Sequence, residues 1–295
     1  MPNYAMARIS LDHIAQPICV ALTLFVALAE SVRAAEPTYK GRTATSWLQD
    51  FAYGRTPDVQ KDRDAAEAIR AIGKDALPLL IDRLRISSEP LTDDEIYSSQ
   101  DYRTLSAFRA LGAEADPAIP ELIELMDAAH KAAGFSNAEP IEKLTHRKIA
   151  FTALALKEMG EKAAGPLVEA LASERRERRF GAAMALEPFE EQSKVVVPAL
   201  IQVLSDKDED VRWRAARSLG ELHALPEQTV PALARSLRED YAANVRCYVI
   251  SALEKFGSDA DSALPDLRKA TNDPDSVVRD YARKALKTIT TKRQR

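Results

Sequence analysis

Arg179, Arg212, Arg246 and Arg279 are separated by 33, 34 and 33 residues. A guanidinium presents a rigid fork of N–H donors that matches a carboxylate or phosphate through two parallel hydrogen bonds. Acidic residues stand just before several of these arginines: Asp208, Glu209 and Asp210 before Arg212, and Asp275 before Arg279. The column reads as a structural ladder of ion pairs and helix N-caps, with a row for binding anions as the alternative. The stretch ERRERRF, from Glu174 to Phe180, adds local basic charge, but two glutamates dilute it and it reads as a solvated helix face.

Other chemistry is sparse. His13, His130, His146 and His223 have no His or Cys partner at metal-ligand spacing, so no metal is expected. The chain has no G-x-S-x-G, no H-E-x-x-H and no glycine-rich phosphate loop. Cys247 has no base nearby in sequence and reads as a small buried residue rather than a nucleophile. Pairs such as Glu190 and Glu191 are ordinary helix surface charges. No cofactor and no catalytic residue are expected. The 41 Lys and Arg against 45 Asp and Glu leave a net charge of -4, which argues against a nucleic-acid binder.

The elements that position the arginines follow from apolar spacing. In VRWRAARSLGEL, Val211, Ala215, Ala216, Leu219 and Leu222 form one face of a helix. VPALARSL follows, and its Pro231 reads as the start of a second helix, because proline in a first turn needs no N–H partner. The unit is therefore helix, short turn, helix. Its apolar anchor recurs as Ile69, Phe108, Leu156, Leu186, Leu219, Leu253 and Leu286, with gaps of 39, 48, 30, 33, 34 and 33. The second-helix proline recurs as Pro78, Pro120, Pro166, Pro198, Pro231 and Pro265, and in four of these units it stands 12 residues after the anchor. Small residues before the anchor (Ala65-Ala66, Ala182-Ala183, Ala215-Ala216) permit close helix approach. A unit that cannot bury its apolar face alone must stack on its neighbours.

DEDVRWRAARSLGEL with VPALARSL, and DPDSVVRDYARKAL, resemble HEAT repeats of the shorter bacterial, PBS-lyase type, over residues 63 to 290. The resemblance implies an all-α, α-α superhelix of the armadillo type: a right-handed solenoid of about seven helix pairs. It implies a scaffold that binds protein partners through a concave face lined by the second helices, including Glu121, Glu124, Glu169, Gln202, Arg235 and Arg268. It also brings enzymatic relatives into view. Phycobilin lyases share the repeat but act on antenna proteins inside cells or plastids. Deoxyhypusine hydroxylases need His-Glu pairs, and this chain has none. The alkylpurine DNA glycosylases need a basic concave face, whereas these second helices carry mixed charge. A phycobilin-lyase-like enzyme and a polysaccharide- or envelope-binding subunit remain the alternatives to a non-catalytic scaffold.

Outside the repeat, residues 35–62 read as an N-terminal capping segment. Trp47, Leu48 and Phe51 follow Thr45 or Ser46, either of which can cap a helix. Two inserts, Ile86 to Gln100 and Asp127 to Thr145, account for the long gaps. They read as spacer loops or partner contacts, and Asp93, Asp94, Glu95 and Tyr97 are the contact candidates. Residues 291–295 form a basic tail. At the other end, the apolar run Ile18 to Ala29, preceded by Arg8, is shorter than a bilayer span of ~20 residues. With Val32 and Ala34 before Ala35 it reads as a signal peptide over 1–34, on a chain starting at Met1 or Met6. The expectation is a monomeric bacterial protein, periplasmic or secreted, with an unidentified protein partner. It would keep no transmembrane span and, once Cys19 is removed, no internal disulfide.

Overall fold

The computed structural model describes residues 35–51, 58–86, 99–132 and 151–292. The expected signal peptide, the contact candidates Asp93, Asp94, Glu95 and Tyr97, and residues 133–150 of the second insert lie outside the described residues. The chain opens with β1 (Thr38–Tyr39) and β2 (Arg42–Thr43), an antiparallel pair in which Tyr39 faces Arg42. A short helix, α1 (Ala44–Leu48), follows. Six helix pairs come next among the described residues. They are α2 (Val59–Ile72) with α3 (Leu77–Ile86), α4 (Ser99–Leu111) with α5 (Ile119–Ala132), and α6 (151–158) with α7 (Ala164–Ala170). After these come α8 (Arg176–Ala185) with α9 (Ser193–Val203), α10 (Glu209–Leu222) with α11 (Pro226–Glu239), and α12 (Ala243–Phe256) with α13 (Leu264–Ala270). A final helix, α14 (Ser276–Lys292), closes the array. The protein is an all-α, α-α superhelix apart from the two-residue strands.

The helices stack in two layers. Among first helices, α2 lies on α4, α8 on α10, α10 on α12, and α12 on α14; among second helices, α3 lies on α5, α9 on α11, and α11 on α13. Helix α5 also reaches α8 directly, past the short α7. The anchors sit between the layers. Ile69, Phe108, Leu156, Leu186, Leu219 and Leu253 are fully buried, each contributing ~1.5–3 kcal/mol by burial. Leu286 on α14 is only partly buried, because no second helix covers it among the described residues.

A second column punctuates the first helices. Four residues after the anchor the chain takes a positive φ at Gly73, Gly112, Gly160 and Gly257. Glycine ends a helix there without the Cβ clash that penalises other residues. In the fifth unit His223 takes this conformation instead, at φ 48°, with its backbone N–H donating to the Leu219 carbonyl. Another glycine serves packing: a Cβ on Gly220 would come within 2.8 Å of Ala252 Cα, so α10 and α12 touch backbone to backbone there.

Two local expectations, on the helix-starting prolines and on the cap of α1, are corrected. Pro198 and Pro231 do not start their helices but lie inside α9 and α11; α11 starts at Pro226, which takes the role expected of Pro231. Pro78, Pro120 and Pro265 do stand at the second position of their helices. Helix α2 starts at Val59, where the Asp58 carboxylate accepts from Lys61 N–H and fixes the helix start. The cap of α1 is Thr43, not Thr45 or Ser46, since the β turn delivers the Thr43 hydroxyl to Ser46 N–H. Trp47 donates its indole N–H to the Tyr39 carbonyl at 3.0 Å and lies under the Arg42 guanidinium. Leu48 and Phe51 are buried, and α1 contacts α2 and α4, covering the start of the stack. Helix α14 runs through Lys292.

Candidate functional site

The arginine column forms a ladder whose rungs are paired carboxylates. Arg179 Nε and Nη2 donate to Asp206 at 2.6 and 2.8 Å. Arg212 grips Asp240 at 2.6 and 3.0 Å, and Arg246 grips Asp273 at 2.9 and 2.8 Å. The remaining Nη1 of each turns to the loop before its own helix: Arg212 to the Asp206 carbonyl, Arg246 to those of Asp240 and Tyr241, and Arg279 to those of Asp273 and Pro274. Each aspartate carboxylate also accepts the backbone N–H two residues on, at Asp208, Ala242 and Asp275. One aspartate thus receives the arginine of its own unit, offers its carbonyl to the arginine of the next, and shapes the turn between them.

These partners, Asp206, Asp240 and Asp273, were not the acidic residues singled out beside the arginines. Their signal in the sequence is a place 27 or 28 residues after each arginine. Asp208 and Asp275 are helix caps instead, accepting from Asp210 N–H and from Val277 and Val278 N–H. Burial opposes the Asp206 charge, but hydrogen bonds from Arg179 and the Asp208 amide outweigh it and hold the carboxyl below its ordinary value. Asp273 is lowered in the same way, by Arg246 and the Asp275 amide against burial. The hydrogen bond to Asp240 raises the Arg212 guanidinium far above its ordinary value.

ERRERRF is not a solvated face. Arg176 meets Asp208 at 3.0 Å and also pairs with Asp210, Arg178 meets Glu124 at 2.8 Å, and Arg179 is the first rung described above. Above it Phe180 packs edge-on against Trp213, which stacks on Tyr248 with ring centroids 4.6 Å apart, so an aromatic row runs beside the ladder across three units. The reading from the residues passed over this row; its signal is one aromatic next to or near each ladder arginine.

On the second helices, Glu121, Glu124, Glu169, Gln202, Arg235 and Arg268 are all exposed. They differ in what they already hold. Arg85 bridges Asp82 at 2.9 Å and Glu121 at 2.5 Å, and Glu124 is taken by Arg178. Glu169, Gln202, Arg235 and Arg268 make no side-chain bond among the described residues. Beside Arg235 a cleft of about 250 Å³ opens between α9 and α11, with Ile201, Leu204 and Ala232 as apolar wall and Ser236 and Tyr241 at its edge. Tyr241 is 76% exposed and lies over the Arg212 guanidinium at 4.7 Å. The Ser236 hydroxyl is buried without a partner.

On the first-helix side a cleft of about 330 Å³ is lined by Leu154, Lys157, Met184, Glu187 and Arg214. Burial pushes the Arg214 guanidinium down to about 10, partly offset by Glu187, which it meets at 2.6 Å. Cys247 is buried, and burial raises its thiol pKa, the opposite of an activated nucleophile. Among the described residues no three His, Cys, Asp or Glu side chains cluster to hold a metal, and no helix is long and apolar enough to cross a membrane.

Stacked helix pairs tied by an Arg–Asp ladder define the chain as an α-solenoid repeat protein. Residues 197–287 match the family described as HEAT repeats. The solved structures it resembles include a Kap121p mutant (14% identity, TM-score 0.53, covering 83% of this chain and 29% of that one). Kap121p bound to Pho4p is similar to the chain at 15% identity and TM-score 0.51, with 83% of this chain and 29% of that chain covered. These likenesses concern the fold, and the chain spans under a third of the length of Kap121p. No curated protein matches the sequence.

Proposed function

We propose that the chain is an exported, non-catalytic scaffold that binds a protein partner along a concave face made by its second helices. The observation that carries this reading is the set Glu169, Gln202, Arg235 and Arg268, exposed on successive second helices and without side-chain partners among the described residues, with Arg235 at the α9–α11 cleft. Side chains presented on a prestacked array bind without the ordering entropy that a flexible surface loses. The fold is one in which Kap121p has been solved bound to Pho4p. Export is supported by the apolar run Ile18 to Ala29 with Val32 and Ala34 ahead of Ala35.

The test is crosslinked capture from an envelope fraction with the chain from Ala35 as bait, beside a bait carrying Arg235→Glu and Arg268→Glu. A stoichiometric partner lost by the double variant, at unchanged far-UV circular dichroism, is the expected result. A partner retained equally by both baits refutes this face. Mass spectrometry of the native protein should find a chain beginning at Ala35; an intact Met1 or Met6 start in a cytosolic fraction refutes export.

A further inference from the structure

Among the described residues the Arg279 rung of the ladder has no carboxylate partner. Arg279 Nη1 is held by the Asp273 and Pro274 carbonyls at 2.7 and 3.0 Å, just as Arg246 Nη1 is held by those of Asp240 and Tyr241 at 3.0 and 2.9 Å. In the three preceding rungs this anchoring turns the Nε–Nη2 edge onto an aspartate. The same edge of Arg279 meets no carboxylate among the described residues. The side chain is thus oriented for an acid that no described residue supplies.

The neighbouring positions say what kind of segment fits. Four residues after the ladder arginine stand Ala183, Ala216 and Ile250, all fully buried. The equivalent on α14 is Arg283, whose side chain is 58% exposed and, among the described residues, pairs only with Asp280 on its own helix. Lys287 is exposed a turn further on, and Leu286, equivalent to the buried anchors, is partly buried. A packed apolar helix would bury Arg283, so the stripe does not repeat the internal pairing. It presents Arg279, Arg283 and Lys287 around one apolar side chain. We infer that this end of α14 is a docking seat for an acidic segment of a partner protein, with one carboxylate gripped bidentately by Arg279 and an apolar residue placed on Leu286.

The chain itself supplies a probe: the turn Gln202 to Asp210, QVLSDKDED, carries the acid that fills the Arg179 rung, with Leu204 two residues before it. Fluorescence anisotropy of this labelled peptide, titrated with the chain from Ala35, should show saturable binding. Asp206→Asn in the peptide, or Arg279→Gln in the chain, should each weaken it about tenfold or more, the loss expected for a bidentate charged pair. Arg279→Lys should bind as weakly as Arg279→Gln, because charge is kept and the fork is lost. Arg235→Glu should leave binding unchanged, which separates this seat from the second-helix face. No binding at millimolar chain, binding indifferent to Arg279→Gln, or full binding by Arg279→Lys would each overturn the inference. So would self-association through Arg279 without peptide binding, which would assign the seat to a second copy.

Discussion

Removing the Asp240 carboxylate tests the ladder where it is most buried. The Arg212 and Asp240 side chains are 6% and 5% exposed, and their two hydrogen bonds are 2.6 and 3.0 Å long. Taking one partner from such a pair leaves an uncompensated buried charge, at a cost of about 3–5 kcal/mol. Asp240→Ala should fall in that range, because it also frees the Ala242 N–H that Asp240 accepts from. Arg212→Met with Asp240→Leu removes both charges together and should lose much less, about 1–2 kcal/mol, most of it the lost turn bond. Arg279→Ala, which gives up only two bonds to carbonyls, should cost about 1 kcal/mol. The assay is urea unfolding of the chain from Ala35 followed by far-UV circular dichroism. Amide exchange over α10–α12 should accompany it, since a repeat array can open unit by unit. An Asp240→Ala loss below about 1 kcal/mol, or a double variant as unstable as the single, would refute the claim that the rungs are buried, mutually dependent pairs.

Three further outcomes follow from the packing. Gly220→Ala should destabilise by about 1–3 kcal/mol despite gaining up to ~1 kcal/mol of helix propensity, because its Cβ would meet Ala252 Cα at 2.8 Å; a raised melting temperature would contradict the close approach of α10 and α12. Leu219→Ala should cost ~2–5 kcal/mol, and Leu286→Ala under about half of that, since Leu219 is fully buried and Leu286 is not; equal losses in urea unfolding would show that α14 is covered. Asp206 and Asp273 have folded-state pKa values below the ordinary 3.8, so the stability they add is complete above that value and is lost as pH falls through the lowered ones. The urea midpoint should therefore drop below about pH 4, and the drop should shrink in an Asp206→Asn, Asp273→Asn chain, with an unchanged acid limb excluding these two groups.

The solenoid was legible because the same apolar anchor returns in each unit, and periodic burial is a property of local sequence. The ladder arginines were legible for the same reason. Their partners were not, because Asp206, Asp240 and Asp273 meet them only once each pair of helices folds back, bringing together residues 27 or 28 apart. The acids next to Arg212 and Arg279 are nearer in sequence but are engaged elsewhere: Asp208 and Asp275 cap helices, and Asp208 and Asp210 also pair with Arg176. Pro198 and Pro231 misled because proline marks a permitted first turn without excluding an earlier start, and Pro226 supplied one. The hairpin β1–β2 left no trace, since strands of two residues cannot show an alternation. On the proposed binding face, exposure was legible but availability was not: Glu121 and Glu124 look alike on paper to Glu169, and only folding delivers Arg85 and Arg178 to them.

The ladder also bears on how such a face works. Each aspartate joins two units, its carboxylate to one arginine and its carbonyl to the next, so a change in stacking angle at one turn must strain bonds on both sides. Asp206 and Asp240 frame the α9–α11 cleft where Arg235 and Tyr241 stand, and Arg212 ties the two turns together. The spacing of those exposed groups is therefore fixed by buried charge pairs rather than by the surface itself. It follows that Asp240→Ala should loosen partner capture through Arg235 although Asp240 need not touch the partner. Capture that survives Asp240→Ala undiminished in a folded chain would separate the ladder from the binding face and leave it a purely stabilising device.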